Sequence, residues 1–189
     1  MTNSTIRQRK EKHMIIWING AFGSGKTTIA ELLNKAIKKS CIYDPENIGI
    51  FFMKNLPREI QLDDFQDYPE WRQWNLHLLL KLATEYDGDI IVPMTLYRED
   101  YFSEVIGGLK KSGIRVEHFQ LDVSKKELIR RLEVREKDNP ANLEWGKLAV
   151  DKILEAFCQT DISEKIINEH RNPDEIVKEI LEKTADTTN

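Results

Sequence analysis

One run constrains this chain more than any other. Gly20-Ala21-Phe22-Gly23-Ser24-Gly25-Lys26-Thr27 is a full match to G-x-x-x-x-G-K-[ST]. It follows the apolar run MIIWIN at 14–19 and opens a stretch with helical spacing over about 26–39. A strand that breaks at glycines and re-enters as a helix leaves backbone N–H groups converging on a concave turn, which binds anions. Glycines are needed because a Cβ would block the approach of phosphate oxygens. Gly20, Ala21, Phe22, Gly23, Ser24, Gly25, Lys26, Thr27 and Thr28 are therefore the expected nucleotide cradle. Lys26 supplies a point charge to the outer phosphates, and the Thr27 hydroxyl is the expected ligand of Mg2+.

The rest of the chain alternates in the same way. Apolar runs at 41–43, 90–94, 115–121 and 165–168 are separated by helical stretches at 69–86, 99–111, 125–137, 143–157 and 174–183. In the stretch 69–86, Trp74, Leu78 and Leu82 recur at helical spacing and are expected in the core, with Trp71 capping that face. Strands separated by helices imply an α/β fold with a parallel sheet. One domain is expected over 14–184, between a charged extension at 1–13 and a disordered tail at 185–189. The 28 basic residues are interspersed among 32 acidic ones, giving a net charge of −4, so no field favours nucleic acid. No apolar run approaches the roughly 18 residues of a membrane span, so no stable membrane insertion is expected. The two cysteines, Cys41 and Cys158, form neither a disulfide framework nor a metal-ligand spacing. A cytoplasmic location is the expectation.

Absences narrow the class. Asn34-Lys35-Ala36-Ile37 lacks the aspartate of a guanine-reading motif, which argues against a GTPase. The run 90–94 ends in Pro93-Met94-Thr95 with no aspartate at its tip, Asp89 lying at the other end, and the chain is short for a helical lid domain. Both features argue against a motor ATPase. A small-molecule kinase needs only a phosphate loop, an acid near the acceptor and arginines over the phosphates. Asp44, just past the second apolar run, suits the acid, although an aspartate before Pro45 also suits a helix cap. Arg131 and Arg135, four apart on one helix, suit the arginines. The competing reading for them is a solvated face shared with Lys125, Lys126, Glu127 and Glu133. Arg58, Asp63, Asp64, Trp71 and Arg72 are candidates for the acceptor side, and Asn172-Pro173 for the adenine side.

Together these residues resemble the ATP-binding tunicamycin resistance proteins. The resemblance runs from Met14 to about Lys183. Its narrower signals are Trp17-Ile18-Asn19-Gly20-Ala21-Phe22-Gly23 and Val92-Pro93-Met94-Thr95. It also takes in Tyr43-Asp44-Pro45-Glu46, Asp63-Asp64-Phe65-Gln66, Trp71-Arg72 and Arg131-Leu132 with Arg135. More distantly the chain is similar to chloramphenicol phosphotransferase and to shikimate and gluconate kinases. The resemblance implies a three-layer P-loop fold with a five-stranded parallel sheet flanked by helices, and a mobile arginine lid. It implies ATP with Mg2+ as cofactors. Lys26, Asp44, Arg131 and Arg135 would be catalytic, and Asp44, Arg58, Trp71 and Arg72 would bind the substrate. The expected activity is ATP-dependent phosphorylation of a small molecule, such as tunicamycin or another uridine-containing nucleoside. Sequestration of the drug without chemistry and a housekeeping nucleoside or sugar-acid kinase are the alternatives, and monomer and homodimer both stay open.

Overall fold

The MIIWIN run forms β1 (Met14–Asn19), whose side chains alternate between two cores. Ile15 and Trp17 enter one and Ile16 and Ile18 the other, all four essentially inaccessible. A strand apolar on both faces has to be covered on both, so β1 takes the centre of the sheet. The computed structural model describes residues 13–159 and 163–186. In it β1 pairs with β3 (Asp89–Pro93) and β4 (Arg115–Asp122), and β2 (Ser40–Ile42) and β5 (Glu164–Ile167) complete the edges. All pairs are parallel, in the order β2-β3-β1-β4-β5.

Helices cover both faces. α1 (Lys26–Ala36) and α8 (Pro173–Asp186) bury Ile29, Leu33, Ile176 and Ile180 against one of them. On the other lie α3 (Pro69–Glu85) and a helix in three parts: α4 (Glu99–Phe102), a π turn (Ser103–Gly107) and α5 (Gly108–Lys111). These contribute Trp71, Leu79, Val105 and Leu109. α6 (Lys125–Arg135) and α7 (Pro140–Gln159) build a third cluster from Leu128, Leu132, Val150 and Ile153, closed by Ala21 of the glycine-rich loop. The expected three-layer fold with a five-stranded parallel sheet is the fold observed. Among the described residues no helix is long and apolar enough to cross a membrane.

Several local features depart from the sequence reading. α2 (Glu46–Asn55) begins directly after β2, in a segment whose apolar residues carry no clean period. α8 continues to Asp186, so Ala185 and Asp186 extend a helix where a disordered tail was expected; 187–189 and 1–12 fall outside the described residues. His13, at the end of the charged extension, meets Asp87 at 3.0 Å.

The expected core stripe on α3 is displaced by one position. Trp71 is 0% exposed, whereas Trp74 is 45% exposed and Leu78 also lies open. The buried stripe is Trp71, Asn75 and Leu79. It hid from hydrophobic periodicity because Asn75 is polar, and Asn75 tolerates burial by accepting from the Tyr43 hydroxyl (2.7 Å) and donating to the Trp71 carbonyl (2.8 Å). Trp74 instead leans on Phe52 of α2, ring centroids 5.0 Å apart. The Trp71 indole N–H donates to the Pro45 carbonyl at 3.0 Å and so fixes where α2 begins. Trp71→Phe should lose about 2 kcal/mol of stability, from the lost volume and the lost hydrogen bond. Urea unfolding measures it; a midpoint equal to the parent's would show that Trp71 does not anchor α2.

Candidate functional site

The glycine-rich loop leaves β1 and turns into α1 with Gly25 as N-cap in left-handed conformation (φ 95°). A side chain there would be strained, and its Cβ would press to 3.1 Å from the Asn168 amide. At Gly20 (φ 147°) a Cβ would come within 2.5 Å of Ser24 Oγ. The loop folds over the Lys26 ammonium, which donates to the carbonyls of Gly20 (3.0 Å) and Ala21 (3.1 Å). Burial pushes the Lys26 pKa down to about 8, and the nearby Arg135 adds to this while Glu46 opposes it. Ser24 Oγ is buried with no hydrogen-bond partner among the described residues. A desolvated cation and a helix N-terminus in one turn are what a phosphate group satisfies.

The end of β5 braces this loop. Asn168 donates to the Ser24 carbonyl at 2.6 Å, and its own carbonyl accepts from the Arg131 guanidinium at 2.9 Å. Arg131 also pairs with Glu127 (2.8 Å), whose carboxyl the hydrogen bonds from Arg130 and Arg131 hold down at about 2. Arg135, one turn on, pairs with Glu136 at 2.7 Å.

Two adjoining cavities meet at the loop. The first, about 710 Å3, is lined by Lys26, Thr27, Thr28, Asp44, Arg131 and Arg135, and also by Arg171 and Pro173. The second, about 480 Å3, lies between α2 and α7, among Ile50, Met53, Trp145 and Leu148. Both volumes suit small molecules. Phe22 and Glu46 line both, and the Trp145 ring meets Phe22 edge-on at 4.9 Å. The wall of the second cavity is mostly apolar, so its occupant must present apolar surface of its own.

The expected residues divide accordingly. The first cavity gathers Gly23, Gly25, Lys26, Thr27, Thr28, Asp44, Arg131 and Arg135, and Asp63 and Asp64 reach the second. Gly20 and Ala21 contribute the carbonyls that receive Lys26. Asp44 lines the first cavity, and its Oδ1 accepts the Glu46 N–H at 2.9 Å, which is the capping role weighed for it at the start of α2.

Three expected acceptor residues sit elsewhere. Arg58 is exposed on a short 3-10 turn (Arg58–Ile60), and Trp71 lies in the core. Arg72 is buried, because its guanidinium donates to the Gln66 carbonyl (2.6 Å) and to Glu104 (2.7 Å) and stacks 4.2 Å from the Tyr101 ring centroid. The pairing of Trp71 and Arg72 in sequence therefore marks support behind the second cavity.

Glu46 was not anticipated. Burial and the neighbouring Asp44 raise its pKa, against Lys26 and Arg135, which lower it. Its signal was present as a second acid two residues beyond Asp44, shortly after the second apolar run.

The AAA domain family matches residues 15–160, more than half of the chain. The tunicamycin resistance protein of Deinococcus radiodurans superposes with a TM-score of 0.74 at 27% identity, covering 91% of this chain and 95% of that one. A gluconokinase from Sinorhizobium meliloti (TM-score 0.63, 19% identity, 95% of each chain) shares the fold. So does the APS kinase of Mycobacterium tuberculosis in complex with AMPPNP and APS (TM-score 0.61, 18% identity, 90% of this chain and 96% of that one). No match was found among curated proteins.

Proposed function

The chain belongs to the AAA domain family, and on that footing we propose that it is an ATP-dependent phosphotransferase acting on a small-molecule acceptor. The observation that carries this is the pair of cavities joined at Glu46 beside the Lys26 loop. A nucleotide whose phosphates rest on the loop N–H groups and Lys26 would present its terminal phosphate to the second cavity. Thr27 and Asp44 offer the hard oxygen donors Mg2+ prefers, with water and phosphate completing the set. When bound, Mg2+ would neutralise charge on the transferring oxygens.

Glu46 is the residue that fits the proton acceptor. It takes the proton of the acceptor hydroxyl as that oxygen bonds to the terminal phosphorus and the bond to the bridging oxygen breaks, leaving a nucleoside diphosphate. Burial and the neighbouring Asp44 raise its pKa, which makes it a stronger base than an ordinary carboxylate. Arg131 and Arg135 supply positive charge from α6, and closure of α6 and α7 over the loop would exclude water. Asp44 lines only the first cavity and serves Mg2+ and the start of α2.

The likeness to a tunicamycin resistance protein and the apolar second cavity support a nucleoside drug of that kind as the acceptor. A coupled assay of ADP formation tests the proposal. Formation that depends on tunicamycin is the expected result. Tight binding of the drug with no ADP would favour sequestration.

A further inference from the structure

Among the described residues that line the second cavity, one buried side-chain polar atom has no hydrogen-bond partner. Gln66 is 5% exposed and lines this cavity, and its Oε1 is buried with no hydrogen-bond partner among the described residues. Two neighbouring polar side chains are engaged. Thr95 Oγ1 donates to the Gly20 carbonyl at 2.7 Å. Asp64 accepts the Gln66 N–H through Oδ1 (2.9 Å) and the Tyr97 hydroxyl through Oδ2 (2.9 Å).

The backbone of Gln66 is clamped as firmly as its side chain is unsatisfied. Its N–H is held by Asp64 and its carbonyl by Arg72, which Glu104 anchors in turn. A buried acceptor without a donor destabilises the chain that carries it, so its persistence at a rigid point of a cavity wall points to a ligand that supplies the donor. A carboxamide also carries two N–H donors beside its oxygen. Its natural complement is a planar amide or imide edge, in which N–H stands next to C=O.

Building on the phosphotransferase reading, we propose that Gln66 selects the acceptor by pairing its carboxamide with an amide or imide edge on that molecule. The apolar walls would hold the rest of the acceptor, and the pairing would fix which hydroxyl faces Glu46. Site groups built to bond a donor reject analogues that lack it, because they are then left unpaired.

Calorimetry with uridine and 3-methyluridine, in the presence of Mg2+ and a non-hydrolysable ATP analogue, tests this. Uridine has the imide edge and free hydroxyls; the methyl group removes the donor. The parent chain should bind uridine roughly tenfold or more tightly than 3-methyluridine. Gln66→Met, of similar length and apolar, should lose that preference, still bind the ATP analogue and melt no lower than the parent. Equal affinity of the parent for the two nucleosides would overturn the assignment. Retained preference in Gln66→Met, a markedly lower melting temperature for it, or no uridine binding by a parent that still binds the ATP analogue would do the same. A parent chain that fails to bind the ATP analogue contradicts the phosphotransferase reading itself, which separates the two failures.

Discussion

Alanine at position 26 should weaken ATP binding by roughly a hundredfold and reduce phosphoryl transfer by a further factor of ten or more. The Lys26 ammonium is the cation held within the loop, enclosed by the Gly20 and Ala21 carbonyls. Those carbonyls do not neutralise it, so the nucleotide-free chain holds a charge that burial disfavours. Binding of phosphate relieves that strain, which links ATP affinity to pH. With its pKa lowered to about 8, Lys26 is protonated at pH 7 and neutral in much of the free protein by pH 9. Phosphate restores the proton, so ATP should bind with proton uptake above about pH 8 and with little uptake at pH 6.5. Calorimetry in buffers of different ionisation enthalpy reads this, and Lys26→Ala should abolish the uptake.

The sign for stability follows from the same shift. Between about pH 8 and the ordinary value of 10.5, the unfolded chain holds a proton that the folded chain has released. The contribution of Lys26 to stability therefore rises with pH across that window and is at its least favourable below it. A melting temperature that fell between pH 8 and 10 in the parent relative to Lys26→Ala would contradict the assignment.

Glu46→Gln should lower turnover by roughly 10^2 to 10^4 while leaving ATP affinity within a few-fold of the parent. The carboxyl of Glu46 lies where the two cavities meet, and the substitution keeps its shape while removing its basicity. The pH profile adds a second signature. Burial raises the Glu46 pKa, so the acid limb of kcat/KM should lie above the ordinary carboxylate value, and the alkaline limb should follow Lys26 near 8. In Glu46→Gln the acid limb should vanish. Asp44→Asn should act differently, through Mg2+ dependence, since the asparagine Oδ1 still accepts the Glu46 N–H at the start of α2. Loss of the acid limb in Asp44→Asn but not in Glu46→Gln would exchange the two roles.

The fold was legible because its signals are local. β1 and the glycine-rich loop are set by consecutive residues: apolar on both faces, then glycines at positive φ, then a helix. The first cavity was readable for the same reason, since its cradle is one run and Arg131 and Arg135 share one helix. The second cavity was readable only at Asp63 and Asp64, because α2, the 63–66 segment and α7 together form it and α7 lies far from the others in sequence. Trp71 and Arg72 illustrate the difficulty. Their residue types suit a ligand site, yet packing turns one into the core and the other onto the Gln66 carbonyl and Glu104. Gln66 stood out only as part of the Asp63-Asp64-Phe65-Gln66 run, and its own place stayed hidden because an unpaired acceptor is defined only by what surrounds it.

The most direct test of the account is the fate of the terminal phosphoryl group. The chain is incubated with Mg2+, tunicamycin and ATP labelled with oxygen-18 in its terminal phosphate, and the products are read by mass spectrometry, with Lys26→Ala as control. The account predicts tunicamycin heavier by one labelled phosphoryl group, absent from the control. ADP accompanied only by labelled inorganic phosphate, or drug recovered unmodified, would contradict it.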